Sequence, residues 1–216
     1  MTPRTPWPDH LSTMHSAVEI SDLRPGLFIW QTYDETVKAD LFSTGIERSG
    51  ELYLVDPIAP DDASLAARLS KSAVNGVIVT NANHARAAAE FSRKFSAPVF
   101  LHSAARDAID ASGVMEIGAG AETVTGLTVI AIDGAPPGEI ALHCDADGGT
   151  MIVGDALINF GSHGFTFLPA KYCANARRMR KSLAQLLDYR FERMLFAHGT
   201  PIMSHGRDRL ADLLES

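Results

Sequence analysis

The sequence predicts an α/β protein with two sheet regions. Three observations carry that prediction: short apolar strand-like runs recur from residue 27 onward, helical stretches follow them in two places, and the order of strands, then helices, occurs twice. The chain has 216 residues, 46% of them hydrophobic and 21% charged, which suits a chain that buries a core rather than one that stays disordered. A single domain is expected at this length.

Residues 1–25 read as an extended arm, because Pro3, Pro6, Pro8 and Pro25 discourage a long helix; the domain proper then covers 26–216. From residue 27 the runs LFIWQTY, ADLFSTGIE and ELYLVDP, separated by polar or Gly-containing turns, predict an antiparallel meander. Asp61 and Asp62 can cap a helix that carries Leu65, Ala66 and Leu69 and ends near Asn75-Gly76. GVIVT follows as a continuous apolar run, the pattern of a buried strand, and stops at Asn81, Ala82, Asn83 and His84. A helix is expected from about Ala85 to Phe95, then a strand at APVFL and a helix at SAARDAIDAS that closes at Gly113.

Residues 114–155 contain LTVIAID, EIALHC and TMIVGD, hairpin-like strands of a second sheet region separated by GAPPG and DADGG. After a Gly-rich loop, CANARRMRKSLAQLLDY predicts an amphipathic helix with Met179, Leu183, Leu186 and Leu187 on one side. Its basic cluster, Arg177, Arg178, Arg180 and Lys181, reads as a solvated face. RMLFAH and GRDRLADLLE supply a last strand and a last helix.

Acidic residues outnumber Lys and Arg by 26 to 19, for a net charge of -7, which argues against nucleic acid as a partner. The two cysteines, Cys144 and Cys173, form no CxxC pattern, and no apolar run approaches the length of a membrane span. A cytoplasmic protein with no membrane partner is expected. Neither a G-x-S-x-G elbow nor a Gly-rich nucleotide motif is present.

The ends of the apolar strands are where ligands collect in sheet-based folds. Those ends read VDP at 55–57, TNANHAR at 80–86, GAPPG at 134–138, GDA at 154–156 and AHG at 197–199. In order and spacing they resemble the metallo-β-lactamase superfamily, over nearly the whole chain from about residue 27. The resemblance implies a four-layer αββα sandwich, two mixed β-sheets packed face to face with helices on the outer faces. It also implies a site at Asp56, Asn81, Asn83, His84, Arg86, Ala135, Asp155 and His198.

The ligands depart from the family pattern T-H-x-H-x-D-H, G-H-T-P-G, G-D and final His. Asn81 and Asn83 stand for the first two histidines, Ala85 for the aspartate, Arg86 for the third histidine and Ala135 for the next; Asp155 and His198 match. Amide oxygens are weak donors for zinc, and a guanidinium has no lone pair to give. The expectation is therefore a protein without a resident metal, non-hydrolytic, whose cleft binds a small molecule or anion, with Arg86 neutralising Asp155 in the metal's place. The alternative is a hydrolase of a small ester, thioester, lactone or phosphoester with one divalent ion (Zn, Mn or Fe) on His84, Asp155 and His198.

His84 and His102 also have plainer readings. His84 can bond a backbone carbonyl at a helix start, His102 can do structural work at a strand end, and His163 is a weak substrate-contact candidate. Trp7, Phe28, Trp30 and Tyr33 near an interface would make the protein a homodimer.

Overall fold

The computed structural model describes residues 19–35, 38–59, 63–120, 122–124, 126–160 and 164–216. The expected caps Asp61 and Asp62, the loop residues Ser162 and His163, Trp7 and the first 18 residues of the expected arm lie outside them.

The first sheet has seven strands in chain order: β1 (Glu19–Arg24), β2 (Leu27–Asp34), β3 (Ala39–Arg48), β4 (Glu51–Val55), β5 (Ala73–Val79), β6 (Val99–Leu101) and β7 (Val114–Glu116). β1 to β4 form the antiparallel meander, and β4 to β7 run parallel. The stretch read as an arm thus joins the sheet from Glu19 on, as an edge strand paired with β2. Pro25 directly follows that strand, where no ladder N–H is needed.

Helices α1 (Ala63–Leu69) and α2 (Ala88–Phe95) connect the parallel strands. α2 starts three residues later than the sequence predicts, because a 3₁₀ turn, Ala82–His84, precedes it with the Asn81 side chain accepting from the Asn83 N–H. The expected helix after β6 is a short 3₁₀ segment, Ser103–Ala108. His102 Nδ1 caps it by accepting from the Ala104 N–H at 3.2 Å, and Arg106 closes it by donating to the Ile109 carbonyl at 2.9 Å.

The second sheet contains β8 (Glu122–Val124), β9 (Leu127–Ala131), β10 (Ile140–Cys144), β11 (Thr150–Val153) and β14 (Arg193–Phe196), ordered β14-β11-β10-β9-β8; β12 (Leu157–Phe160) and β13 (Gly164–Phe167) form a separate hairpin. β11 and β14 pair in parallel, the others antiparallel. Helix α3 (Ala176–Leu183) is prolonged by a 3₁₀ segment, Ala184–Asp188, and α4 (Gly206–Glu215) ends the chain. Among the described residues no helix is long and apolar enough to cross a membrane.

Three cores make the layers. Ile29, Phe42, Ile78, Leu127, Leu142, Ile152 and Leu195 pack between the sheets. Leu54, Val77 and Val79 face outward against Leu65, Leu69 and Phe91 of α1 and α2. Met151, Val153, Met194 and Phe196 face outward on the other side against Met179, Leu183, Leu186 and Leu210. Successive residues of β5, β11 and β14 enter alternate cores, so both faces of these strands are buried and their sequences are apolar throughout. The αββα sandwich follows from that alternation.

Candidate functional site

The parallel strands stop in register, and their polar ends converge. Val153 of β11 lies opposite Phe196 of β14, so Asp155 and His198, each two residues further on, emerge side by side. Val55 of β4 lies opposite Ile78 of β5, which brings Asp56 next to Thr80. Thr80 donates its backbone N–H to Asp56 Oδ1 at 2.8 Å and its hydroxyl to Oδ2 at 2.6 Å. Asp56 and Arg86 both hold positive φ, 49° and 35°, a conformation that side chains resist and that a packed site can enforce.

His84 sits between the two halves, 2% exposed. Its Nδ1 is 3.0 Å from Asp56 Oδ2 and 2.9 Å from Thr80 Oγ1. Since the Thr80 hydroxyl proton already goes to Asp56, Nδ1 must carry the proton that this contact needs. Its Nε2 is 3.1 Å from Asp155 Oδ1 but out of line for a hydrogen bond. His198 Nε2 lies 3.3 Å from the same oxygen, and the two imidazoles are 5.4 Å apart between centroids.

The second Asp155 oxygen accepts from Asn81 Nδ2 at 3.2 Å and from Asn83 Nδ2 at 3.1 Å. Thus the amides of Asn81 and Asn83 both point at the shared carboxylate. Asn81 Nδ2 also donates to Glu139 Oε2 at 2.6 Å, and the Ala156 N–H donates to Glu139 Oε1 at 2.9 Å. Gly154 is required beneath them: a β-carbon there would meet Thr80 Oγ1 at 2.6 Å and the Glu139 carboxylate at 2.9 Å.

Arg86 does not pair with Asp155 as expected. Its guanidinium donates to the carbonyls of Phe42 at 2.7 Å, Asp56 at 3.0 Å and Ala197 at 3.4 Å. A planar fork matches three fixed carbonyls well, and those acceptors come from both sheets. The groups that meet Asp155 directly are His84, His198 and the two asparagines, while Arg86 and Asp155 act on one another only through their charges. Ala135 is buried in the outer core under α3, and its methyl group adds nothing to the site.

The charges respond to one another. Burial pulls His84 down, but Asp155 and Asp56 outweigh it and push the imidazole up to about 9. Burial pushes Asp56 up, but His84, then Arg86 and Thr80, hold it below the ordinary carboxylate value. Burial likewise raises Asp155, while His84 and His198 hold it well below that value. His198 is lowered by its burial. Glu139 is pushed up to about 8 by burial and by Asp155.

Glu139 and Thr80 are the members of this network that sequence reasoning does not pick out. Glu139 had a signal: an acid at the start of the apolar run IALH, inside a strand-end loop. Of the other histidines, His102 caps its 3₁₀ segment, His143 Nε2 meets the Arg190 carbonyl at 2.9 Å, and His205 is exposed beside Asp208.

The sequence profile described as metallo-beta-lactamase superfamily matches residues 20–216, and the chain belongs to that superfamily. Solved structures repeat the fold at low identity. The DIM-1 metallo-beta-lactamase superposes with a TM-score of 0.74 at 14% identity, covering 91% of this chain and 96% of its own. A metallo-beta-lactamase family protein from Thermus thermophilus gives 0.66 at 19%, covering 90% and 80%. A metallo beta lactamase from Erythrobacter litoralis gives 0.67 at 15%, covering 93% and 96%. No curated protein matches the sequence.

Members of this superfamily usually bind divalent metals. A two-metal site does not fit these residues, because Arg86, Ala85 and Ala135 offer no donor where ligands would stand. A one-metal site does fit. The donor atoms of His84, Asp155 and His198 all lie within 4.8 Å of one another. The spacings of 3.1 and 3.3 Å from Asp155 Oδ1 to the two Nε2 atoms match the ligand separation of about 3.3 Å in a tetrahedral zinc site.

Proposed function

We propose that this chain is a one-metal member of the superfamily, a hydrolase of a small ester, thioester, lactone or phosphoester, with His84, Asp155 and His198 as metal ligands. One observation carries this reading: the Nε2 of a fully buried histidine faces Asp155 and His198 without an aligned hydrogen-bond partner among the described residues. A divalent ion held there supplies Lewis acidity toward a carbonyl or phosphoryl oxygen. Asp56 fixes the His84 tautomer through Nδ1, which leaves the Nε2 lone pair for a metal. Asn81 and Asn83 hold the second oxygen of Asp155, so its first oxygen stays turned toward the imidazoles.

A second reading rests on the same imidazole with one more proton. His84 has a carboxylate near each ring nitrogen, at 3.0 and 3.1 Å, and its pKa is pushed up to about 9. As an imidazolium it balances Asp56 and Asp155 with no metal, and the cleft serves to bind a small molecule or anion in the cytoplasm.

Elemental analysis separates the two. Protein purified without a metal-binding tag is measured before and after exposure to zinc, manganese and iron, beside an Asp155→Ala control. About one metal per chain, absent from the control, supports the hydrolase, and ester, lactone and phosphoester panels follow. No retained metal in any sample overturns it in favour of the imidazolium cleft.

A further inference from the structure

The opposite end of the sandwich, where β11 and β14 begin, holds a second concentration of charge. A cavity of about 50 Å³ opens there between the sheets, lined by Arg24, Leu27, Ile46, Arg48, Thr150 and Arg193 among others. Arg193 is 3% exposed; it donates through Nε to Thr150 Oγ1 at 3.1 Å and through one terminal nitrogen to the carbonyls of Asp147 at 2.7 Å and Ala146 at 3.4 Å. Arg48 Nη1 reaches the Gly126 carbonyl at 3.1 Å and Cys144 Sγ at 3.2 Å.

Carboxylates also reach this cavity, from Glu47 and Asp147. Asp147 is 4.0 Å from Arg24 with a side chain 60% exposed, and Asp145 is 3.5 Å from Arg48 with a side chain 79% exposed. Glu47 accepts from Ser72 at 3.3 Å on the exposed surface. Glu47 and Asp147, both exposed residues, therefore share the lining with the guanidinium groups and with the apolar Leu27, Ile46 and Ile152. Burial, and then the neighbouring positive charge of Arg24, hold the Arg193 guanidinium below the usual arginine range. Like charges beside a cavity in a partly dry setting are stabilised by an anion placed between them.

We propose that this cavity is a binding site for a short-chain carboxylate, with its carboxylate between Arg24, Arg48 and Arg193 and its chain against Leu27, Ile46 and Ile152. The volume admits a few waters or an acid of two to four carbons. The guanidinium fork pairs with carboxylate and phosphate alike, and the apolar wall of Leu27, Ile46 and Ile152 favours the anion that carries a short hydrocarbon chain. The site lies across the sandwich from His84 and is independent of the metal proposal.

Titration calorimetry of the full chain in low-chloride buffer, with propionate, inorganic phosphate and 1-propanol, tests it. Propionate is expected to bind with a Kd on the order of 1 mM, given its five heavy atoms. Phosphate binds more weakly and propanol not at all. Arg24→Gln and Arg48→Gln, both at partly exposed positions, each weaken propionate by about tenfold. Amide NMR shifts are expected at Leu27, Thr150 and Arg193. No saturation by propionate below 50 mM, on the order of fifty times the expected Kd, overturns the proposal. So do equal binding by the variants, equal binding of propanol, preference for phosphate, or shifts centred on His84 and His198.

Discussion

The two halves that meet at the site match the motif pattern unequally. By the motif resemblance, Asp155 and His198 at the ends of β11 and β14 match the family pattern, whereas the loop at 80–86 of the first half departs from it at every ligand position. Yet the first half still delivers an imidazole to Asp155, from His84, on a 3₁₀ turn at a position that is not a ligand in the family pattern. The strands explain why this is tolerated. Their apolar residues fix where the loop starts and ends, so side chains within it can change roles while the charge balance around Asp155 is kept.

The largest effect should come from the half that matches the family pattern. Asp155→Ala leaves His84 and His198 without their shared carboxylate and should cost about 3 kcal/mol in urea unfolding, together with all retained metal. If metal persists in that variant, the second half is not the anchor. In the other half, Arg86→Met strips donors from three carbonyls and should cost about 2 kcal/mol, and Arg86→Lys should recover less than half of it because an ammonium lacks the fork. Equal stability of wild type and Arg86→Met would mean that Arg86 is not needed to join the halves.

Acidity sharpens the contrast further. His84, raised to about 9, gives metal-free protein a stabilisation that is complete below about pH 6.5 and lost as pH rises through 9. Glu139, raised to about 8, acts with the same sign: its contribution is complete below about pH 4.5 and lost as pH rises through 8. Asp56 and Asp155, both lowered, contribute above about pH 4 and lose that contribution in acid. Unfolding free energy of metal-free protein should therefore fall by at least about 1 kcal/mol from pH 6 to pH 9. Glu139→Gln should flatten the part below pH 8, and a flat profile in the wild type would remove both raised groups from the account. The smallest effect belongs to Arg178→Ala on the solvated face of α3, whose ion pair with Asp133 is two-thirds exposed on each side; about 0.5 kcal/mol or less is expected.

Much of this was legible in the sequence. Continuous apolar runs such as GVIVT and MIV marked the buried strands, and their polar ends marked the loops that meet, including Asp56, Asn81, Asn83, His84, Asp155 and His198. The weak strands β1, β7, β8, β12 and β13 escaped because they are short or lie at edges, where one exposed face blurs the pattern. Side-chain direction within the loop was not legible either. A motif alignment places Arg86 as a ligand substitute, but its positive φ and three backbone carbonyls send the guanidinium elsewhere, and a 3₁₀ turn swings His84 inward. Glu139 stayed hidden because its partners, Asn81 and Ala156, come from loops far apart in the chain.

Arg86 also sets a barrier for anyone redesigning this cleft. Placing a histidine at 86 would add one metal donor and at the same stroke withdraw the clamp that ties the carbonyls of Phe42, Asp56 and Ala197 together. A single-residue change toward a two-metal site therefore passes through a loosened protein. A workable route first installs a replacement tie between the sheets and only afterwards rebuilds the ligands.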